Sequence, residues 1–192
     1  MTALLRIVSN ASRWLAWIGG AMLLLCALLV SLDVVFRAVW QVSYFESFEL
    51  STYAFAIATA MGMSWALVSR AHIRIEVLYT ALPAGWRPWL DVFAHFGLAV
   101  VSTALLYWCA QLVLGNWQTG ARSNSSLSLP MAIPQGIWLL GLAWFALTAS
   151  LYAVFGLWKC LSGRAAEAHQ RLGVATPLDE IDASTGRSAG RC

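Results

Sequence analysis

Four long apolar stretches dominate this sequence and leave little room for a water-soluble core. They cover residues 14–36, 47–69, 89–114 and 134–158. A helix rises about 1.5 Å per residue, so about 20 apolar residues cross the hydrocarbon core of a bilayer, and each stretch is long enough. Hydrophobic residues make up 60% of the chain and charged residues 11%, more apolar surface than a soluble domain of this size can bury. The sequence therefore predicts an all-α, polytopic membrane protein with four transmembrane helices.

The distribution of positive charge predicts how these helices are oriented. Of the 12 lysines and arginines, all but Arg37 and Arg122 lie before the first stretch, between the second and third, or after the fourth. Positively charged segments tend to remain in the cytoplasm. We therefore expect both termini to be cytoplasmic. The first stretch is too long for a secretory signal and lacks a clear cleavage site, so we expect it to be retained.

The chain is expected to have two parts. Residues 1–160 form the four-helix membrane domain, and residues 161–192 form a polar cytoplasmic tail that is partly disordered, because it is rich in Gly, Ala, Ser and Thr with mixed charges. The four cysteines are scattered and lack the spacing of a metal site. The sequence thus predicts no catalytic residue, no metal site, no cofactor and no nucleic-acid partner; membrane lipid is the expected surrounding.

Ionisable side chains near membrane depth are costly and usually have a purpose. Asp33 and Arg37 lie four residues apart at the outer end of the first helix, so they can pair on one face. Asp91 and His95 have the same spacing at the inner start of the third helix. We interpret both sets as structural pairs.

Two acidic residues, Glu46 and Glu49, occupy the start of the second helix. Carboxylates interact favourably with a helix N-terminus, and capping alone would account for one of them. Two acidic groups on an outer surface could equally receive a partner protein. The sequence leaves both interpretations open.

Small residues recur on one face of the second helix and of the fourth. Because close packing must hold helices together in lipid, such faces indicate helix contacts, either within the chain or with a partner. The residues are Ala54, Ala58, Gly62 and Ala66 in the second helix, and Ala146, Ala149, Ala153 and Gly156 in the fourth. Trp108 and Trp144 lie deep in their spans, and we expect both to pack between helices.

The most distinctive local string reads R-A-H-I-R-I-E at residues 70–76, followed by L-P at 82–83 and by Asp91. Its isoleucines alternate with Arg74 and Glu76, which predicts an amphipathic segment at the membrane interface. No span combines a helix break with ion-coordinating groups near its middle, the arrangement typical of transporter sites. The sequence therefore indicates an accessory protein of a transport system or of an enzyme.

At this string the chain resembles a known family, the small membrane subunits (DctQ type) of tripartite ATP-independent periplasmic (TRAP) transporters. The other shared features are Glu49-Leu50 at the start of a small-residue second helix and a fourth helix that begins at a proline, and the likeness covers roughly residues 14–160. It implies an accessory subunit in the bacterial inner membrane, part of an uptake system for organic acids such as dicarboxylates that is driven by a cation gradient, with sodium as the expected cation.

The resemblance also implies partners and candidate residues. The small subunit would brace a large permease subunit, expected to be a separate chain, and would help to dock a periplasmic substrate-binding protein. Glu46, Glu49 and Arg122 then become docking candidates on the outer surface. His72, Arg74 and Glu76 become candidates for the inner interface with the large subunit.

A membrane-anchor subunit of a respiratory enzyme complex is the alternative function. Such anchors bind haem between histidines that face each other across helices. Only His95 lies near a span, whereas His72 and His169 lie in a loop and in the tail, which makes this alternative the weaker one.

Overall fold

Four helices account for nearly all of the chain that the computed structural model describes, namely residues 2–41, 47–69, 87–125 and 127–162. They are α1 (Thr2–Trp40), α2 (Ser47–Val68), α3 (Arg87–Thr119) and α4 (Ala132–Leu161). Each is long and apolar enough to cross a membrane, which confirms the prediction of an all-α chain with four such helices. The string at 70–76 and the tail beyond residue 162 lie outside the described residues.

Helix α2 is much shorter than the other three helices. α2 has 22 residues, which corresponds to about 33 Å, close to one hydrocarbon core. α1 has 39 residues, α3 has 33 and α4 has 30. α3 stops where Gly120 takes a positive φ of 62°. The amides of Gly120 and Ala121 then bond to the carbonyls of Trp117 and Asn116, the pattern that commonly ends a helix at a glycine.

The helices pack as a row rather than as a closed bundle. α1 packs along α2, α2 along α4, and α4 along α3, while the remaining pairs of helices touch only weakly. The name Asp33 end is used for the end of the row at which α1 and α3 finish and α2 and α4 begin. The opposite end, where α1 and α3 begin, is called the Asp91 end.

Two glycines set the closest approaches in this row. A Cβ at Gly19 of α1 would lie 3.1 Å from the carbonyl oxygen of Ala58 in α2, and one at Gly141 of α4 would lie 3.0 Å from the Cβ of Ala60. In lipid, small residues at such crossings let the backbones come close enough for dense packing. α2 therefore uses one side of its small-residue surface for α1 and another for α4.

The predicted contact face of α4 is confirmed as packing within the chain. Its four small residues are all buried: Ala146, Ala149, Ala153 and Gly156. The face predicted on α2 is only partly used, because Ala58 is buried but a Cβ at Gly62 would meet nothing within 4 Å. A core cluster joins the α4 face to Leu67 of α2 and Ala99 of α3.

The two deep tryptophans have opposite surroundings. Trp144 packs between helices as predicted, since its Nε1 donates a hydrogen bond of 3.0 Å to the Oγ of Ser12 in α1, a residue with no exposed surface. The same prediction for Trp108 is wrong within this chain, because that side chain is 71% exposed. A row one helix thick gives α3 a neighbour on one side only, and Trp108 lies on the uncovered side.

Candidate functional site

Among the described residues, the Asp33 carboxylate is the most deeply buried acidic group at its end of the row. Its side chain has no exposed surface, and its Oδ2 accepts hydrogen bonds from Arg37 Nη2 at 2.9 Å and from Ser47 Oγ at 2.8 Å. Arg37 lies one turn away on the same helix, with 59% of its side chain exposed. Ser47 is the first residue of α2. The site therefore pairs a carboxylate with a guanidinium and also joins α1 to α2.

Glu49 joins α2 to the loop between α3 and α4. Its Oε1 accepts a hydrogen bond of 2.7 Å from the hydroxyl of Tyr53, and its Oε2 accepts one from the hydroxyl of Ser125. The hydroxyl of Ser123 donates in turn to the hydroxyl of Ser125 at 3.2 Å. Both oxygens of Glu49 are thus occupied by neutral hydroxyl donors of the same chain, and the half-buried carboxylate positions the loop.

Arg122 lies in that loop, and its side chain is exposed. Its backbone forms an antiparallel bridge with Pro130, and its Nη1 donates to the carbonyl of Ser128 at 3.1 Å. Two backbone hydrogen bonds close the loop, from Ser123 to the carbonyl of Leu129 and from Met131 to that of Ala121. The result is a short hairpin that presents a guanidinium at the Asp33 end.

The Asp91 end holds buried ionisable groups on α3 and α4. Asp91 is 1% exposed, His95 3% and Lys159 7%. His95 Nδ1 lies 2.9 Å from the backbone carbonyl of Asp91, so this nitrogen carries the proton, because a carbonyl can only accept. The His95 ring also stacks on Tyr152 of α4, with centroids 6.2 Å apart. The predicted pair is therefore joined through the Asp91 backbone.

Lys159 is the member of this group that the sequence did not single out. Its Nζ lies 5.4 Å from the ring of Trp158 and 5.9 Å from that of Phe155, distances at which a cation is attracted to an aromatic face. The next residue, Cys160, shares a small core cluster with Val92 of α3. Lys159 and Asp91 thus lie on segments of α4 and α3 that pack against each other. This packing holds the ends of the two helices together.

Four of the predicted site residues, Glu46, His72, Arg74 and Glu76, lie outside the described residues. The structure adds partners that sequence reasoning missed, chiefly serines: Ser12, Ser47, Ser123 and Ser125. A further link joins Asn116 Nδ2 at the end of α3 to Gln135 Oε1 at the start of α4, at 2.7 Å. The only sign of these partners in the sequence was that each is a polar residue near the end of an apolar stretch.

The described part of the row has its charged side chains at the two ends. Between the levels of Glu49 and of Trp65 on α2, the spans contribute uncharged residues, most of them apolar. Within the described ranges there is no group of three His, Cys, Asp or Glu residues that could hold a metal ion. His95 is the only histidine in those ranges, and it is engaged with Asp91 and Tyr152, so the residues described offer no pair of histidines for a haem.

Comparisons with known proteins give one match. A family model described as the DctQ component of tripartite ATP-independent periplasmic transporters matches residues 26–160, which confirms the resemblance drawn from the sequence. The matched region runs from the middle of α1 to the end of α4 and so includes both ends of the row. No curated protein and no solved structure matches the chain.

Proposed function

This chain belongs to the DctQ family, the small permease subunits of tripartite ATP-independent periplasmic transporters, and from that premise we propose that it is the accessory subunit of a sodium-driven uptake system for organic acids such as dicarboxylates. Such systems combine the small subunit with a large permease subunit and a periplasmic binding protein. In this proposal the system lies in the bacterial inner membrane. The large subunit is a separate chain and carries the transport site.

The observation that carries the accessory role is the location of the charged groups. In the described residues the charged side chains lie at the ends of the row, and its middle depth is uncharged and mostly apolar. A site that coordinates sodium or a carboxylate substrate needs oxygen ligands or cations near the midplane. The described spans do not provide such a set, which supports a role beside the transport site of another subunit.

The exposed apolar surface supports bracing of a larger membrane protein. A single row of helices leaves two broad faces, and large side chains on them are widely exposed, including Phe93 at 74%, Trp108 at 71% and Trp117 at 72%. Aromatic residues of this kind are enriched in protein interfaces. We expect one of the two faces to lie against the large subunit and the other to face lipid.

A reconstitution experiment tests the accessory role. Proteoliposomes that contain this chain alone should show no uptake of a labelled dicarboxylate when a sodium gradient is imposed. Uptake should require the large subunit and the binding protein, and it should fall when the small subunit alone is omitted from the mixture. Sustained sodium-driven uptake by the isolated chain would overturn the accessory role.

We further propose that the Asp33 end faces the periplasm, so that both termini are cytoplasmic. The positive charges of the N-terminal region and of the chain after α4 support this orientation. Asn124 has an exposed side chain in the loop at the Asp33 end. In a variant without the native cysteines, Asn124→Cys should react with an impermeant thiol reagent in intact spheroplasts. A cysteine restored at position 192 should react only after permeabilisation; the reverse pattern would contradict the orientation.

Docking of the binding protein is proposed at the hairpin that presents Arg122 and that Glu49 contacts through Ser125, with Glu46, which precedes Glu49 in the sequence, as a further candidate. Reversal of a rim charge mainly slows association. Arg122→Glu should therefore reduce uptake at limiting binding protein, and excess binding protein should restore it. Arg122→Gln is the matched control, since it also removes the hydrogen bond to Ser128 but adds no negative charge. Equal loss in both variants would indicate that Arg122 only shapes the hairpin.

A further inference from the structure

A groove follows the seam between α1 and α2 on the surface of the row. Toward the Asp91 end it encloses about 1000 Å³, a volume at the upper end of the range for small-molecule sites. Its floor is made of small residues of α1, and aromatic and aliphatic side chains form its walls. The lining includes Arg13, Trp17, Gly20, Leu24, Ala27 and Trp65.

Among the described residues that line this groove, Arg13 is the one with a charged side chain. Its side chain is exposed, and no hydrogen bond or ion pair to it is found within the described residues. Since α1 and α2 run in opposite directions with Gly19 against Ala58, Arg13 is level with Trp65, close to the end of α2. A guanidinium next to two tryptophans at a helix end is the composition expected at the headgroup level of a membrane.

The groove is longer than one leaflet. From Arg13 to Ala27 the helix rises about 21 Å, about two-thirds of the hydrocarbon thickness of a bilayer. A second, shallower groove of about 630 Å³ continues along the same seam, shares Leu23 and Ala27 with the first, and ends at the hydroxyls of Ser31, Ser51 and Thr52. The two grooves thus overlap between Leu23 and Ala27, and among the described residues that line them Arg13, toward the Asp91 end, is the one with a charged side chain.

We propose that the groove at the Asp91 end binds an anionic phospholipid. The acyl chains lie over the floor at Gly20 and Ala27, and the headgroup phosphate lies on Arg13, whose planar guanidinium can bind two phosphate oxygens at once. Trp17 and Trp65 flank the glycerol region. The site requires only that the chain is embedded in a membrane, so it does not depend on the proposed transport function.

The groove at Gly20 can be filled without disturbing the helix seam. A Cβ at Gly20 meets nothing within 4 Å, so a leucine there projects into the space assigned to the acyl chains. A Cβ at Gly97 on α3 also meets nothing within 4 Å, but Gly97 is exposed on a surface that does not line the groove. Gly20→Leu and Gly97→Leu are therefore a matched pair of fillings, one inside the groove and one outside it.

The test is lipid retention by the full-length chain in nanodiscs made from an equimolar mixture of phosphatidylglycerol and phosphatidylcholine. Native mass spectrometry after release from the nanodisc measures the ratio of the two retained lipids. Wild type should be enriched in phosphatidylglycerol. Arg13→Gln should lower that enrichment about fivefold, the effect expected for one basic residue at a lipid surface, whereas Arg13→Lys should preserve most of it. Arg122→Gln, which removes an arginine from the other end of the row, should change nothing.

The filling variants separate the groove from a general surface effect. Gly20→Leu should retain less lipid of both kinds than wild type, and Gly97→Leu should retain the wild-type amount. If Arg13→Gln and Gly20→Leu both match wild type, the proposal is wrong. In that event a helix of another subunit becomes the occupant to test, by crosslinking from a cysteine placed at Ala16, which also lines the groove.

Discussion

Ser47 Oγ donates a hydrogen bond of 2.8 Å to Oδ2 of Asp33, and this bond joins the first residue of α2 to a carboxylate of α1 that has no exposed surface. The same oxygen accepts from Arg37. A buried carboxylate is tolerated only when its lone pairs are satisfied. The start of α2 is thus held against α1 by a group that would be costly to leave without partners.

Loss of the Ser47 hydroxyl should therefore destabilise the helix pair. We expect Ser47→Ala to lower the free energy of unfolding by about 1 kcal/mol, a typical value for a lost hydrogen bond. Ser31→Ala is the matched control, because Ser31 is exposed and bonds only to the carbonyl of Ala27 in its own helix; its effect should stay within about 0.5 kcal/mol. Unfolding by SDS in mixed micelles measures both variants. Equal effects would mean that the Asp33 contact contributes nothing specific.

The hairpin between α3 and α4 should loosen when Glu49 is removed. Glu49→Ala leaves the hydroxyl of Ser125 without its carboxylate acceptor, and hydrogen bonds to charged groups are stronger than neutral ones. We expect the amides of Ser123 and Met131, which close the hairpin, to exchange with deuterium about tenfold faster.

Tyr53→Phe provides the control for this experiment. It removes one hydrogen bond to Glu49 and leaves the bond from Ser125. Exchange at Ser123 and Met131 should then stay near the wild-type rate. If Glu49→Ala also leaves that rate unchanged, the carboxylate serves the start of α2 and not the hairpin.

Adjacent glycines of α1 should respond oppositely to the same substitution. Gly19→Leu would place its Cβ 3.1 Å from the Ala58 carbonyl oxygen and should destabilise the chain by about 1–3 kcal/mol, as overpacking typically does. Gly20→Leu meets no atom within 4 Å and should be neutral or slightly stabilising, because leucine favours a helix by up to about 1 kcal/mol relative to glycine. Thermal unfolding in one detergent compares them, and similar losses would contradict the α1–α2 packing described above.

The bond between Trp144 and Ser12 should contribute measurable coupling between α4 and α1. A double-mutant cycle with Ser12→Ala and Trp144→Phe should give about 0.6 kcal/mol, the average for interhelical hydrogen bonds in membrane proteins. Trp108→Phe is the control, because Trp108 is 71% exposed and has no bond to α1. A coupling energy of zero would indicate that the two side chains are not in contact in the membrane.

Much of the architecture could be predicted from the sequence because membranes impose a strong length requirement. The four apolar stretches correspond to the four helices, and Asp33 stood out because a carboxylate at that depth needs partners. Its second partner, Ser47, is 14 residues away and carried no charge or spacing signal. Lys159 was read only as part of the charge at a helix end, yet it is buried between α3 and α4.

The order of the helices could not be predicted, because faces that meet lipid and faces that meet another helix have the same apolar composition. Gly19 and Gly20 illustrate this, since only the structure shows that one lies against Ala58 and the other is open. Glu49 shows a related limit. Capping and docking were both open, and its bond to the hairpin at residues 120–131 had no counterpart in the local sequence.

The row arrangement also determines how the chain can assemble. Helices α1 and α2 form one pair of consecutive helices, and α3 and α4 form another. Each pair can form as soon as its two helices have entered the bilayer. The halves then join mainly along α2 and α4, where Gly141 lies against Ala60. We expect assembly to end with the lateral association of these two helix pairs, and a larger residue at Gly141 should leave both pairs inserted but separate.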